Sequence, residues 1–298
     1  MLQRIGLVFC AAVVLAPGVA AAAPVPFSVG GDNTAASIQA TVDAFRAALG
    51  DPNNGNAPGP LFSGRREINW DGGGADTVTA PVTPFNVFRN TRGAQFTTPG
   101  TGLSQAPPSG GANGGLETLF GNPTYGATFS TFSPLRLFVP VGSNVTDALF
   151  FLPGTDGAVP ATVSGFGAVF TDVDLPDSTQ IEYFSAGGDL LFSDFVEPGT
   201  VADGSLSFLG VFFNAGEGVA RVRITTGTTA LGPNDAPVDD IDVVAMDDFV
   251  YGEPRRISEP SLLALLAIGA VALLRVQRRA VARLRAIRFQ FERLACSS

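Results

Sequence analysis

The chain lacks most of the side chains that enzymes commonly use for chemistry. Its 298 residues include no histidine and only two cysteines, Cys10 and Cys296, which lie near opposite ends. Lysine is also missing, so all 18 basic residues are arginines. These absences exclude zinc sites of cysteine and histidine, thiol nucleophiles and catalytic triads that need histidine. They also exclude Schiff-base chemistry and the lysine of a phosphate-binding loop.

The first 22 residues have the composition of a secretory signal peptide. One arginine, Arg4, precedes an apolar stretch and a run of small residues in an Ala-x-Ala context. This order is typical of a segment that is cleaved during export, here after Ala21 or Ala22. A buried amino-terminal helix is the alternative, although Pro17 and Gly18 would interrupt it. We therefore expect an exported protein.

Charge is distributed unevenly along the chain, whose net charge is −9. Residues 24–254 contain 8 arginines and 25 acidic residues, whereas residues 255–298 contain 9 arginines and 2 acidic residues. Affinity for nucleic acids comes mainly from basic side chains, so the acidic region is not expected to bind nucleic acid. Its composition fits divalent cations and soluble, mutually repelling surfaces better.

An uncharged apolar segment near the carboxyl end, Leu262–Leu274, is followed by a group of arginines. As a helix, its 13 residues would cover about 20 Å of a hydrocarbon layer about 30 Å thick. Arg275, Arg278 and Arg279 could reach the headgroups on the cytoplasmic side. We predict a short membrane helix, with a buried core helix as the alternative. Residues 280–298 are predicted to be a basic cytoplasmic tail, either an interfacial helix or a frayed end.

Three features of this region, in their order, resemble the PEP-CTERM sorting signal of bacterial exported proteins. They are a short acidic and proline motif, the apolar segment and the arginines: Ser258, Glu259, Pro260, Ser261, Arg275, Arg278 and Arg279. Ser258 stands where that family usually has proline. The resemblance implies processing by an exosortase, a membrane transpeptidase, and either membrane anchoring or release to the cell surface or matrix. It also implies a link to exopolysaccharide or biofilm.

Hydrophobic periodicity indicates one helix and a series of strands in the exported region. Residues 34–49 place Ile38, Val42, Phe45 and Leu49 on one face, which predicts a helix. From Tyr125 onward, eight short apolar runs predict strands: 127–132, 144–152, 161–174, 179–186, 189–196, 205–213, 218–226 and 241–252. Because helices do not alternate with these strands, we predict a mostly β protein, an antiparallel jelly-roll-like β-sandwich with one short N-terminal helix.

The predicted organisation along the chain has five parts. They are a signal peptide at 1–22, a helix and loop-rich region packed on the sandwich at 23–124, the β-sandwich at 125–254, the sorting and transmembrane segment at 255–279, and the tail at 280–298. Residues 53–115 are rich in Gly, Pro, Asn and Thr, which favours loops over a separate domain.

Acidic side chains in the predicted sandwich suggest a structural calcium ion. The last strand, with Asp247 and Asp248, resembles the final strand of jelly-roll carbohydrate-binding modules, in which such a pair commonly helps to bind calcium. Independently, Asp172 and Asp174 alternate along a strand end, so they are expected on one face, where both could contact one ion. The acidic loop at 235–242 is a further candidate, although such acids are often solvated turn caps.

The leading functional hypothesis is a non-enzymatic structural or adhesive protein of the cell surface or matrix. A carbohydrate-binding module of the same fold is the second hypothesis. The third is a glycoside hydrolase, since Glu67 and Asp71 could act as a carboxylate pair beside Trp70, the only tryptophan, which could stack on a sugar. The same segment could instead be a structural clasp that holds the loop region to the sandwich.

Overall fold

The computed structural model of the protein describes residues 23–72, 76–233, 235, 240–257, 271, 273–275 and 277. The chain divides into two compact units, Met1–Arg255 and Arg256–Ser298. In the second unit, the described residues from 271 onward, Arg275 among them, are helical. No helix in the described part of the chain has the length and apolarity needed to cross a bilayer. The predicted signal peptide, the tail at 280–298, and the sorting residues Ser258–Ser261, Arg278 and Arg279 lie outside the described residues.

The first unit consists mostly of short strands. They are β1 (Val25–Gly30), β2 (Arg65–Ile68), β3 (Ala94–Thr97), β4 (Gly102–Ala106), β5 (Leu137–Val141), β6 (Val145–Phe150), β7 (Ala161–Thr162), β8 (Gly165–Thr171), β9 (Gln180–Phe184), β10 (Leu190–Phe195), β11 (Leu206–Phe212), β12 (Arg221–Thr225) and β13 (Ala245–Gly252). A two-residue strand, β14 (Arg255–Arg256), falls at the boundary of the units. The helices are α1 (Ala35–Leu49), α2 (Leu116–Phe120) and α3 (Tyr125–Thr128).

Two antiparallel sheets organise this unit. The larger has seven strands, in the order β1-β11-β8-β13-β5-β4, with β2 paired to β13 beside this path. The smaller has five, in the order β10-β9-β12-β6-β3. One hydrophobic core contains inward-facing side chains of both, such as Phe166 and Phe249 of the larger sheet and Ile181 and Val222 of the smaller. The prediction of a mostly β protein with antiparallel sheets is therefore confirmed.

The predicted helix is confirmed as α1. Its buried residues are Ile38, Val42, Phe45 and Leu49, the face that the periodicity indicated. This face packs against the larger sheet, where Gly210 of β11 leaves room for the aromatic ring of Phe45. A Cβ atom at Gly210 would lie 3.0 Å from that ring, so a small residue is needed for the helix to pack this closely.

The sequence prediction was incomplete between residues 23 and 124. We expected a helix and loops laid over the sandwich, but β1 to β4 lie in this range and belong to the two sheets. Their partners are distant in sequence: β1 pairs with β11 and β2 with β13. These strands are only four to six residues long, and strand preference depends strongly on such neighbours. Local periodicity was therefore too weak a signal to reveal them.

One of the eight predicted strands is wrong. The run at 127–132 contains no strand, and α3 (Tyr125–Thr128) overlaps its beginning. Tyr125 and Phe129 are buried with Phe120 in a smaller core, so the apolar residues of this segment pack beneath short helices. A short apolar run cannot distinguish a strand from a buried helical turn.

Candidate functional site

The acidic pair Asp247 and Asp248 lies in the middle of β13. The pairing of β13 with β8 shifts between Met246 and Phe249, so that the two aspartates form a β-bulge. A bulge redirects the side chains of a strand. Both aspartates are buried, and Asp247 is 0 % exposed.

Both carboxylates bind the loop at residues 132–136, which precedes β5. Asp247 Oδ2 accepts the N–H of Phe132 at 2.7 Å, and Asp248 Oδ1 accepts the hydroxyl of Ser133 at 2.6 Å. The pair therefore anchors this loop to the central strand of the larger sheet.

A third carboxylate, Asp71, binds the same loop. Its Oδ1 accepts the N–H groups of Leu135 and Arg136, each at 2.9 Å, and its Oδ2 lies 3.3 Å from the hydroxyl oxygen of Ser133. The Arg136 guanidinium donates to the backbone carbonyl of Trp70 at 2.7 Å. Asp71, Asp247 and Asp248 thus all accept donors of this one loop, which is the arrangement expected of a structural anchor.

Burial raises the pKa of Asp247 and that of Asp248 above the ordinary value. The negative charge of Asp248 raises the pKa of Asp247 further. At Asp248 the rise is opposed by the hydrogen bond from Ser133 and by the charge of Arg46, 3.7 Å away. Two adjacent buried carboxyls resist simultaneous ionisation. The pair therefore retains a proton more readily than two exposed aspartates would.

The other predicted pair, Asp172 and Asp174, lies just beyond the end of β8. β8 ends at Thr171, and Asp172 has a φ of 70°, so the alternation of a strand stops there. Asp172 is 3 % exposed and accepts the N–H of Gly204 at 3.1 Å, whereas Asp174 is exposed. The strand alternation that predicted a common face therefore does not apply to this pair.

The acidic loop before β13 makes contacts with separate segments. Asp242 is buried and accepts the hydroxyl of Ser178 and, at 3.3 Å, the N–H of Asp174. Asp235 instead accepts the hydroxyl of Tyr125. Among the described residues, these two acids attach different parts of the chain to the fold.

Several carboxylates of these clusters already accept hydrogen bonds from the protein. Calcium takes about six to eight oxygen ligands, but Asp172, Asp242 and Asp247 already accept N–H or O–H donors of the protein. Within the described ranges, no group of three or more Asp, Glu, Cys or His side chains is placed to hold a metal ion. A structural calcium ion at Asp172, Asp174, Asp247 or Asp248 stays a prediction.

We expect stability to fall as the pH rises, because the buried carboxyl of Asp172 resists ionisation. Burial, followed by the negative charges of Asp174 and Asp242, raises its pKa to about 8, compared with about 3.9 in an unfolded chain. Between these values the folded protein holds a proton that the unfolded chain has released, so the free energy of unfolding decreases with pH. Asp172→Asn keeps an acceptor for Gly204 and should remove part of this decrease.

Urea unfolding at about pH 5 and about pH 8 measures this effect. Asp177→Asn, at an exposed acid of the same loop, is the control and should behave like the wild type. Equal pH dependence in the wild type and Asp172→Asn would contradict the assignment. Repeating the measurement at the higher pH with millimolar calcium tests the calcium prediction, because an ion bound only by the folded chain raises its stability.

The residues considered for glycoside hydrolysis have structural contacts. Trp70 is 0 % exposed and its ring stacks on Phe138, with 3.7 Å between ring centres, so it cannot stack on a sugar. Glu67 binds Arg46 at 2.9 Å and Arg65 at 2.7 Å. The contacts of this segment match the structural clasp.

The outer side of the five-stranded sheet is a second candidate site, and it was not among the sites predicted from the sequence. Burial alternates along β9, β12, β6 and β3, so every second side chain points away from the core. The register aligns eight of these outward residues in two rows, which we call the outer face: Phe184, Arg221, Leu149 and Gln95, and then Glu182, Arg223, Asp147 and Thr97.

The charges of the outer face are paired with one another. Asp147 accepts hydrogen bonds from Arg221 at 2.9 Å and from Arg223 at 3.0 and 2.9 Å. The guanidinium carbon of Arg221 lies 3.7 Å from the centre of the Phe184 ring, a cation–π contact. With Glu182 beside Arg223, the positive and negative groups are equal in number. The outer face is therefore neutral within a strongly acidic region.

Fold and site together define a mostly β protein whose buried carboxylates anchor loops and whose smaller sheet presents a charge-paired surface. Comparisons with protein-family models, with curated proteins and with solved structures give no match.

Proposed function

We propose that this chain is an exported structural or adhesive protein of the cell surface or extracellular matrix. In this proposal a jelly-roll-like β-sandwich contacts neutral exopolysaccharide through its outer face. The signal-peptide pattern and the sorting resemblance support the location. The charge-paired outer face is the observation that carries the binding role.

The chemistry of the outer face suits an uncharged polymer rich in hydroxyl groups. Guanidinium, carboxylate and amide groups offer hydrogen-bond donors and acceptors side by side, while Phe184 and Leu149 add apolar surface for the C–H faces of sugar rings. Arg221 and Arg223 are already paired with Asp147, so they offer a charged polymer little additional attraction. The acidic surroundings would repel an anionic polymer.

The carboxyl-terminal segment delivers the protein in this proposal. An exosortase would cut near Glu259 and Pro260, which lie just before the apolar segment Leu262–Leu274. Until then, Arg275 and its neighbouring arginines would hold the segment at the cytoplasmic side of the membrane.

Binding of the mature protein, purified from a host that has an exosortase, to a neutral β-glucan and a neutral galactomannan tests this proposal. We expect Arg223→Ala to weaken binding about tenfold, equivalent to about 1.4 kcal/mol, because it removes a donor and leaves the pair of Arg221 with Asp147 intact. Arg256→Ala makes the same change of charge at an exposed residue outside the outer face and should bind like the wild type. Added salt should have little effect, because the face is neutral.

Several outcomes would decide against the proposal. The binding role is contradicted if the wild type binds neither polysaccharide. It is also contradicted if Arg223→Ala and Arg256→Ala lose the same amount of affinity. A mass spectrum with an intact carboxyl terminus on the mature protein would contradict the sorting step. Hydrolysis of the polysaccharides would favour the glycosidase alternative.

A further inference from the structure

The two end strands at one side of the fold, β4 and β3, are covered by other parts of the chain. The end strand of a sheet leaves N–H and C=O groups without a partner strand. Next to β4, Val82 exchanges two backbone hydrogen bonds with Leu103, at 3.1 and 2.9 Å. Next to β3, Phe85 exchanges two with Phe96, at 2.8 and 3.1 Å. Neither strand can accept a further partner at these residues.

β1, the end strand at the other side of the larger sheet, is blocked in a different way. Pro26 has no N–H group to offer to another strand. At the other end of β1, Gly30 lies so close to the carbonyl of Pro198 that any side chain at Gly30 would collide with it. The loop that contains Pro198 therefore packs against this end of β1, and its Thr200 donates an N–H to the carbonyl of Gly31 at 2.8 Å.

β10 is the end strand at the other side of the smaller sheet, and its backbone is open. Val196, just after β10, donates its N–H to the backbone carbonyl of Thr179, just before β9, at 2.9 Å. The N–H of Val196 therefore points toward β9. Bonded and non-bonded residues alternate in an antiparallel pair, so the N–H and C=O groups of Ser193 and Phe195 point away from β9. Among the described residues, the only hydrogen bond to these groups is local, from the N–H of Phe195 to Asp194 Oδ1 at 2.9 Å.

The side chains of β10 also lack most of the features that protect an exposed edge. Protected edges typically carry lysine or proline, or are very short, whereas β10 has six residues, neither of these types and one charge, Asp194. Leu190 and Phe195 are 53 % and 39 % exposed. An apolar, open edge of this length is a site for pairing with another strand.

We propose that β10 pairs with β10 of a second copy of this chain, antiparallel and about a twofold axis at Ser193. Two identical antiparallel strands are self-complementary, because Ser193 of each copy can donate its N–H to the Ser193 carbonyl of the other. Asp194 would then lie opposite Phe192 of the second copy, so that like charges do not face each other directly.

The fold itself favours a second copy over an open-ended assembly. Among the end strands of the two large sheets in the described residues, β10 is the one that neither a proline nor a neighbouring segment blocks. Pairing about a twofold axis uses the β10 edge of both copies, so the assembly closes as a dimer. The five-stranded sheets of the two copies would form one continuous sheet, and their outer faces would lie on the same side.

Sedimentation velocity of the purified protein, from low to high micromolar concentration, tests this proposal. The wild type should shift from monomer to dimer as its concentration increases. Phe195→Lys replaces an exposed apolar side chain of this edge by lysine, the residue that typically protects exposed edges, and should remain a monomer throughout. Val201→Lys makes a similar change at a residue with the same exposed fraction, 39 %, outside β10, and should dimerise like the wild type.

Ser193→Pro is a second test, because it removes the central N–H without adding charge. It should also remain a monomer, and circular dichroism melting establishes that each variant is folded. If Phe195→Lys does not fold, Ser193→Pro decides. A wild type that stays monomeric, or a dimer that persists in a folded edge variant, would overturn the proposal. Arg223→Ala should dimerise normally, so this result is independent of polysaccharide binding.

Discussion

Replacing Arg66 by methionine should lower the free energy of unfolding by about 3–5 kcal/mol, because it leaves a buried carboxylate without its partner. Arg66 Nε lies 2.6 Å from Glu253 Oε2, and its Nη2 lies 2.8 Å from Oε1. The two side chains are 0 % and 1 % exposed. Arg66 also donates to the backbone carbonyls of Gly55 and Ala57, each at 2.7 Å. These carbonyls would lose their donor as well.

Urea unfolding compares this variant with Arg89→Met, the matched control. Arg89 pairs with Asp156 at 3.0 Å, but these side chains are 26 % and 72 % exposed. Such a surface pair contributes about 0–1 kcal/mol. If the two variants lose the same free energy of unfolding, then burial does not make the pair of Arg66 and Glu253 more important than the exposed pair. The double change of Arg66→Met and Glu253→Gln should cost less than the sum of the single changes, since it removes both charges.

Replacing Trp70 by alanine should lower the free energy of unfolding by about 3–5 kcal/mol, the usual cost of removing a buried tryptophan. Its ring stacks on Phe138 and meets Phe249 edge to face, with 4.9 Å between ring centres. Its indole N–H donates to the carbonyl of Asp247 at 2.9 Å. The change therefore leaves a cavity between the sheets and an unpaired acceptor at the β-bulge.

Circular dichroism must follow the unfolding, because Trp70→Ala removes the only tryptophan. Trp70→Phe restores part of the packing but not the hydrogen bond. Its free energy of unfolding should therefore lie between those of the alanine variant and the wild type. Val87→Ala, at a residue that is 63 % exposed, is the control and should have little effect. A loss at Trp70 no larger than at Val87 would show that this ring does not support the core.

The features that depend on local periodicity could be predicted from the sequence. The four apolar residues of α1, from Ile38 to Leu49, follow the helical repeat, and the same four are buried. In β12, Arg221 and Arg223 alternate with Val222 and Ile224, which is typical of a strand with one solvent face. That alternation was also the available signal for the outer face.

The features that depend on distant contacts could not be predicted in this way. β1 is paired with residues of β11 that are more than a hundred positions away, and nothing in its own six residues specifies that partner. Trp70 lies in a segment rich in polar residues and glycine, yet it is buried beneath rings from several strands. The alternation rule failed at Asp172, because it requires a continuing strand and β8 had already ended.

The place of β13 in the larger sheet has a consequence for how the chain acquires its shape. β13 is the last strand of that sheet in chain order, yet it lies at its centre, between β8 on one side and β5 and β2 on the other. A nascent chain, or one threaded through a translocation channel with its amino end first, cannot close the sheet until Ala245–Gly252 have emerged. Until then, β8, β5 and β2 lack β13 as a partner, and the backbone groups that would pair with it stay accessible to chaperones. Completion of the fold therefore coincides with emergence of the residues next to the carboxyl-terminal segment, which in an exported chain would couple the timing of folding to the end of transport.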